Sequence, residues 1–222
     1  MDKCGVLTSA VAAAVAVGLL CAPGCSEPGQ AVNSSDAREV VKAVGELAAR
    51  GSDEDVMQIE LAAINTDVHV AAEAVRGLGA IRSAEAVAAL KRVALEEERP
   101  EVREEVAYQL GLQSEDASMQ LLEQLLQHDA SARVRAAAAS SLARLRVWVD
   151  IPLLMDVAER ETDVMVQSRA VAAVESMIGL KVGYDSRATA HERRSALSRL
   201  RGIALTAGAA LAPQDAHRER GP

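Results

Sequence analysis

The chain of 222 residues carries 24 Lys or Arg against 32 Asp or Glu, a net charge of −8, which disfavours a general nucleic-acid binder, because that role needs clustered basic residues to displace counterions from phosphates. Aromatic residues make up 1% of the chain, with one Trp, two Tyr and no Phe, so stacking platforms for bases or sugars are almost absent and a core must be built from Ala, Leu, Val and Ile. Cys4, Cys21 and Cys25 are the only cysteines and the four histidines are scattered, so beyond Cys25 there is neither a disulfide frame nor the ligand spacing of a zinc site.

The first residues, Met1-Asp2-Lys3, precede a run from Val6 to Ala22 that has no charge and is rich in Ala, Val and Leu. An apolar run of that length, closed by small residues, describes an export signal that is set aside from the fold. Its end, Leu19-Leu20-Cys21-Ala22-Pro23-Gly24-Cys25-Ser26, resembles a bacterial lipoprotein signal. The resemblance implies that residues 1–24 are removed and that the Cys25 thiol receives a lipid. Ala22 and Pro23 depart from the usual pattern, and Cys21 fits less well because the bulky Leu20 precedes it. A cleaved signal for soluble secretion is one alternative. An uncleaved membrane anchor is another, since the uncharged stretch from Cys4 to Ser26 is just long enough to cross a bilayer. Residues 25–35 are polar and rich in helix breakers, as expected of a flexible tether.

From Asp36 the chain turns periodic. Val70, Val102, Val134 and Val166 stand 32 residues apart, as do Ala74, Val106, Ala138 and Ala170, and Leu78, Leu110, Leu142 and Val174. A second set, led by Leu90, Leu122 and Leu154, keeps the same step. Self-similarity at such a period is the signature of stacked repeats. Within each copy the first apolar set falls at i, i+4, i+5 and i+8 and the second at i, i+3 and i+6, each on one helix face. Every repeat is therefore expected to be a helix pair. Asp67, Ser131 and Asp163 stand where a side-chain oxygen can cap the first helix. Arg99 holds the fourth such place as a poor cap, with Pro100 behind it at a position where the missing N–H costs nothing. The expected repeats run over about 36–64 (one residue shorter), 65–96, 97–128, 129–160 and 161–205, the last interrupted by an insertion over 179–192. The solenoid is expected to end near residue 210 and a disordered tail to occupy 211–222. Residues 181–222 hold eight Lys or Arg and four Asp or Glu, a basic end on an otherwise acidic chain.

The opening Asp-x-x-Val, the Val102-Arg103 and Val134-Arg135 pairs, and Leu78-Gly79 with Leu110-Gly111 resemble HEAT-type repeats, particularly the short variety of phycobilisome lyases. The resemblance covers about 36–205. It implies an all-α fold, an α-solenoid of about five antiparallel helix pairs, with second helices lining a binding surface. It says little of function, because the family holds scaffolds, adaptors and a few enzymes.

No nucleophile elbow, phosphate loop or metal spacing is present. Glu96-Glu97-Glu98 and Glu104-Glu105 are expected to be solvated surface. Trp148 is expected to cap the end of a helix pair or to anchor a partner, and Tyr184 lies in the insertion. Once core positions are removed, Arg92, Gln124 and Asp156 form a polar column on the second helices, the candidate partner-binding face. The expectation is an exported scaffold, held to a bacterial membrane through Cys25, facing the periplasm or cell surface, and binding a protein partner. No catalytic residue, cofactor, metal, nucleic acid or small-molecule substrate is expected. The alternatives are an enzyme of a lyase-like HEAT branch and a soluble exported spacer.

Overall fold

A computed structural model of the chain describes residues 28–113, 116–146 and 148–215. The expected signal 1–24, Cys25 and the end of the tail lie outside these residues. Among those described, all regular structure is helical. Five first helices, α2 (Ala37–Arg50), α4 (Val68–Ala80), α6 (Pro100–Leu110), α8 (Ala132–Leu145) and α10 (Val164–Ile178), form one layer. Each is followed by its second helix: α3 (Asp53–Ala63), α5 (Ala84–Glu96), α7 (Asp116–His128), α9 (Ile151–Arg160) and α11 (Ala190–Asp215). The order is thus five helix pairs stacked into an α-solenoid, with one continuous aliphatic core between the layers. Val70, Val102, Val134 and Val166 are all fully buried, as are Leu78, Leu110 and Leu142 and, across from them, Leu90, Leu122 and Leu154. Stacking removes from water the one apolar face that each pair cannot cover alone.

Small residues set the spacing of the first-helix layer. A Cβ on Gly79 would lie 2.8 Å from Gln109 Cβ, and one on Gly111 only 2.9 Å from Ser141 Cα. Successive first helices therefore approach where the Leu-Gly pairs occur, and Gln113 Nε2 donates to the Gly79 carbonyl across that contact at 3.3 Å. The second helices stand further apart and leave clefts between their ends.

The helix starts follow their capping residues. Asp67 accepts from His69 N at 2.8 Å, and Asp163 accepts from Met165 N and Val166 N at 2.9 and 3.2 Å. Arg99 makes no cap bond and Pro100 opens α6. Ser131 does not cap α8 with its side chain. Its N–H is instead taken by Asp129 at 2.8 Å, and Arg135 gathers the nearby carbonyls.

Three boundaries differ from the sequence reading. The stretch expected to be a flexible tether contains a short helix, α1 (Pro28–Ala31), and buries Val32. It packs on the first pair, against α2 and beside Gln58 of α3. The insertion ends at Thr189 rather than 192. Thr189 Oγ1 accepts from Glu192 N at 3.3 Å and Glu192 Oε2 accepts from Thr189 N at 2.8 Å, a reciprocal cap that starts α11. Helix α11 then runs through the alanine-rich 207–212, a strong helix-forming stretch, to Asp215, so the expected tail begins later than 211.

Candidate functional site

Between consecutive repeats the chain turns on a repeated device. Two residues before each first helix's cap, a side-chain oxygen accepts the cap residue's N–H. Ser34 serves Asp36 at 3.1 Å, Asn65 serves Asp67 at 2.9 Å, Glu97 serves Arg99 at 2.8 Å, Asp129 serves Ser131 at 2.8 Å and Glu161 serves Asp163 at 3.0 Å. Arginines lock these turns. Arg103 donates from Nη1 to the carbonyls of Glu97 and Glu98 and grips Asp129 with its other nitrogens. Arg135 repeats the pattern with the carbonyls of Asp129 and Ala130 and the carboxylate of Glu161. In α10 the equivalent Gln167 donates to the Ala158 carbonyl at 2.8 Å. Arg99 reaches back one repeat to the carbonyls of Asn65 and Thr66.

Burial pushes the Asp129 carboxyl up, but hydrogen bonds from Arg103 and the Ser131 N–H, with the charges of Arg103 and Arg135, outweigh it and hold the group below the usual carboxylate range. Glu161 is depressed in the same way through Arg135. In Glu97 the hydrogen bond from Arg99 is the leading cause of a lowered pKa. Glu97 is thus part of a structural turn, not simply solvated surface, and Glu104 and Glu105 tie neighbouring first helices through Arg133 and Arg76.

These turns frame two clefts at the ends of the second helices. One, of about 540 Å³, opens between α3 and α5 and includes Glu60, Ile64, Thr66, Val93, Glu96 and Glu98. The other, of about 490 Å³, lies two repeats on between α7 and α9 and includes His128, Asp156, Val157 and Arg160. Val93 and Val157, and Glu96 and Arg160, occupy matching places 64 residues apart, and Ile64 matches Gln127, 63 residues on because the first repeat is one residue shorter. The same groove is therefore lined with different chemistry.

The candidate column lies on the second-helix surface, with Arg92 and Gln124 exposed and Asp156 half-buried. Two of its members are already engaged. Arg92 donates to Glu60 of α3 at 2.7 and 2.8 Å and to Glu85 at 2.9 Å, and Asp156 accepts from Arg201 of α11 at 3.1 Å. They fasten neighbouring repeats as well as facing solvent. A third feature escaped the polar column because it is apolar. Ser52 and Ser83 cap α3 and α5, so Met57, Leu61 and Ile64 stand where Ala88, Arg92 and Leu95 stand in α5. In α7 these places hold Gln120, Gln124 and Gln127, and in α9 Pro152, Asp156 and Glu159. Met57, Leu61, Ile64 and Leu95 are 55, 49, 70 and 56% exposed, so four uncovered apolar side chains of the second helices fall in the first two repeats, with Leu205 of α11 exposed at the other end. The solvent side of the first helices is instead laced by pairs such as Arg76 with Glu105 and Arg133 with Glu104.

Trp148 opens a single 3-10 turn before α9 and packs its partly buried ring against the core. Tyr184 is likewise half-buried and donates to Gln167 Oε1, which pins the insertion to α10; burial raises its pKa. Asp150, which ends the 3-10 turn, is 3% exposed and its Oδ2 has no hydrogen-bond partner. Burial, and then the charge and hydrogen bond of Glu123, push its pKa up to about 7. Among the described residues no group of three or more His, Cys, Asp or Glu is placed to hold a metal, and no helix is long and apolar enough to cross a membrane.

A family profile described as HEAT repeats matches residues 57–143 and 94–175. Among solved structures, the complex of CpcE and CpcF of phycocyanin lyase from Nostoc sp. PCC7120 is similar at 19% identity, with a TM-score of 0.51, over 74% of this chain and 70% of that one. The crystal structure of an engineered protein is similar at 20% identity, with a TM-score of 0.44, over 81% of this chain and 96% of that one. No curated protein matches the sequence.

Proposed function

The chain belongs to the HEAT-repeat family, and from that membership we propose that it is a scaffold that binds another protein along its second helices. The observation that carries this function is the uncovered row Met57, Leu61, Ile64 and Leu95, of which Ile64 lines an open cleft, on a surface whose third repeat carries glutamine at the places of the first three. Exposed aliphatic groups of this size, grouped on one face, mark sites of association. The likeness to phycocyanin lyase is one of fold and brings no activity to this chain.

The scaffold is exported and tethered at Cys25 in the bacterial cell envelope. Gly24-Cys25 closing an uncharged segment, with no cysteine beyond it, supports that placement. A lipoprotein's several acyl chains hold firmly where a single chain holds weakly. Fractionation of cells carrying wild type and Cys25→Ala tests the tether: the wild type is expected in the membrane with an acyl label, and the variant in the soluble fraction. Equal membrane retention of both, with no acyl label on the wild type, would remove Cys25 as the anchor. The protein-binding role is tested separately, by crosslinking in intact cells and mass spectrometry of the adducts.

A further inference from the structure

Resting on the scaffold function proposed above, we infer that the partner seated on the first two repeats is a basic amphipathic helix, its apolar stripe laid over Met57, Leu61, Ile64 and Leu95 and its lysines or arginines meeting Glu54, Glu96 and Glu98. The stripe has the geometry for a helix. Glu54, Met57 and Leu61 of α3 and Ile64 at its C-terminal cap follow one another at steps of three and four residues, a row roughly 15 Å long at 1.5 Å per residue. Leu95 stands at the end of the neighbouring α5 at the place matching Ile64, and Ile64 itself lines the cleft of about 540 Å³ at that end. Helices recognised in this way anchor through side chains at the same spacing. The fold does not require the row to be apolar, because α7 has glutamine at all three matching places.

Charge selects the partner. Glu60 is engaged by Arg92 and Glu97 by Arg99, but Glu54, Glu96 and Glu98 have no cationic partner among the described residues, and Glu96 and Glu98 rim the cleft that holds Ile64. On the other side of the balance Lys91 is exposed one turn before Leu95, so the unpaired carboxylates prevail. A second copy meeting this patch with its own would bring like charges together, and an anionic bilayer would be repelled for the same reason.

Two dye-labelled helical peptides of equal length, one of Leu and Lys and one of Leu and Glu at helical spacing, are titrated with the full chain and followed by fluorescence anisotropy. The Leu/Lys peptide is expected to bind about tenfold or more tightly than the Leu/Glu peptide, and Leu61→Asn/Ile64→Asn to weaken it by a similar factor. Glu96→Lys/Glu98→Lys is expected to reverse the preference. These side chains are exposed, so melting followed by circular dichroism should match the wild type in both variants. Leu/Lys binding that is unchanged in the first variant, or a preference that is unchanged in the second, overturns the inference. So does a dimer in sedimentation, or binding to phosphatidylcholine–phosphatidylglycerol vesicles, that Leu61→Asn/Ile64→Asn abolishes. In cells, a photoreactive residue at position 61 is expected to crosslink to a basic amphipathic segment, identified by mapping the adduct. Adducts from position 124 but none from 61 overturn this placement and leave the scaffold function standing; adducts from neither overturn both.

Discussion

Arg103 of α6 and Asp129 of the turn one repeat later form a fork-to-fork pair, Nε to Oδ2 at 2.8 Å and Nη2 to Oδ1 at 2.9 Å, with both side chains largely withdrawn from water. The same guanidinium holds the carbonyls of Glu97 and Glu98, so one arginine fixes the turns at both ends of its own repeat. Breaking one partner leaves a buried charge and several unpaired oxygens. Arg103→Ala is expected to lower stability in urea unfolding by about 3–5 kcal/mol, and Asp129→Ala by a comparable amount. The double variant should cost distinctly less than the sum, because each single change already removes the pair. Simple additivity would mean that the two side chains act independently.

The close approach of the first helices has its own test. A side chain on Gly111 would collide with the backbone of Ser141, which cannot swing away as the end of a long side chain can. Gly111→Ala is expected to destabilise by about 1–3 kcal/mol through overpacking. Ser141→Gly in the same chain should recover part of the loss by removing the Cβ that stands 2.5 Å from the new methyl. A melting temperature unaffected by Gly111→Ala would show that the layer is not held at this spacing.

Asp150 gives the chain a pH dependence of a defined sign. In the fold its proton is held up to about 7, whereas an unfolded Asp carboxyl releases its proton near about 4. Between those values the folded state binds one proton more, so this group's contribution to stability falls as pH rises through the interval and is level above it. Asp129 and Glu161 have lowered values; their contribution is present above the unfolded pKa and is lost as pH falls through the folded one. Comparing wild type with Asp150→Asn isolates the first effect. The variant is expected to gain on the wild type as pH rises from about 4 to about 7, by on the order of 2 kcal/mol. A difference independent of pH would mean that Asp150 is ionised throughout.

The apolar period of the sequence made the helix pairs legible, because burial of one face is a local consequence of spacing along a helix. The caps at Asp67 and Asp163 and the proline start at Pro100 were legible for the same reason. The turn device was not, although Asn65, Glu97, Asp129 and Glu161 share the 32-residue step. Their common function is to accept an N–H two residues on, which an amide and carboxylates of two lengths perform alike. Their arginines lie in another helix, brought near only by stacking. The cap formed by Thr189 and Glu192 was present as a Ser/Thr-x-x-Glu signature inside what reads as an insertion. Selecting a polar column put Arg92, Gln124 and Asp156 on the outer surface of the second helices, where the structure has them. It passed over Leu61 in the corresponding row, because an apolar residue at helical spacing reads first as core. It also favoured two residues whose charges fasten repeats, so replacing them with alanine would perturb the stack and any binding together.

Photo-crosslinking from the two layers in intact cells measures most directly whether the second-helix surface is the one that binds protein. Leu61, Leu95 and Gln124 report on that surface, and the exposed Lys42 and Tyr108 on the first helices. The expected result is a discrete protein adduct from the second-helix positions, with none from Lys42 or Tyr108. Adducts from the first-helix positions alone would contradict the proposed function and place the partner on the opposite side of the solenoid.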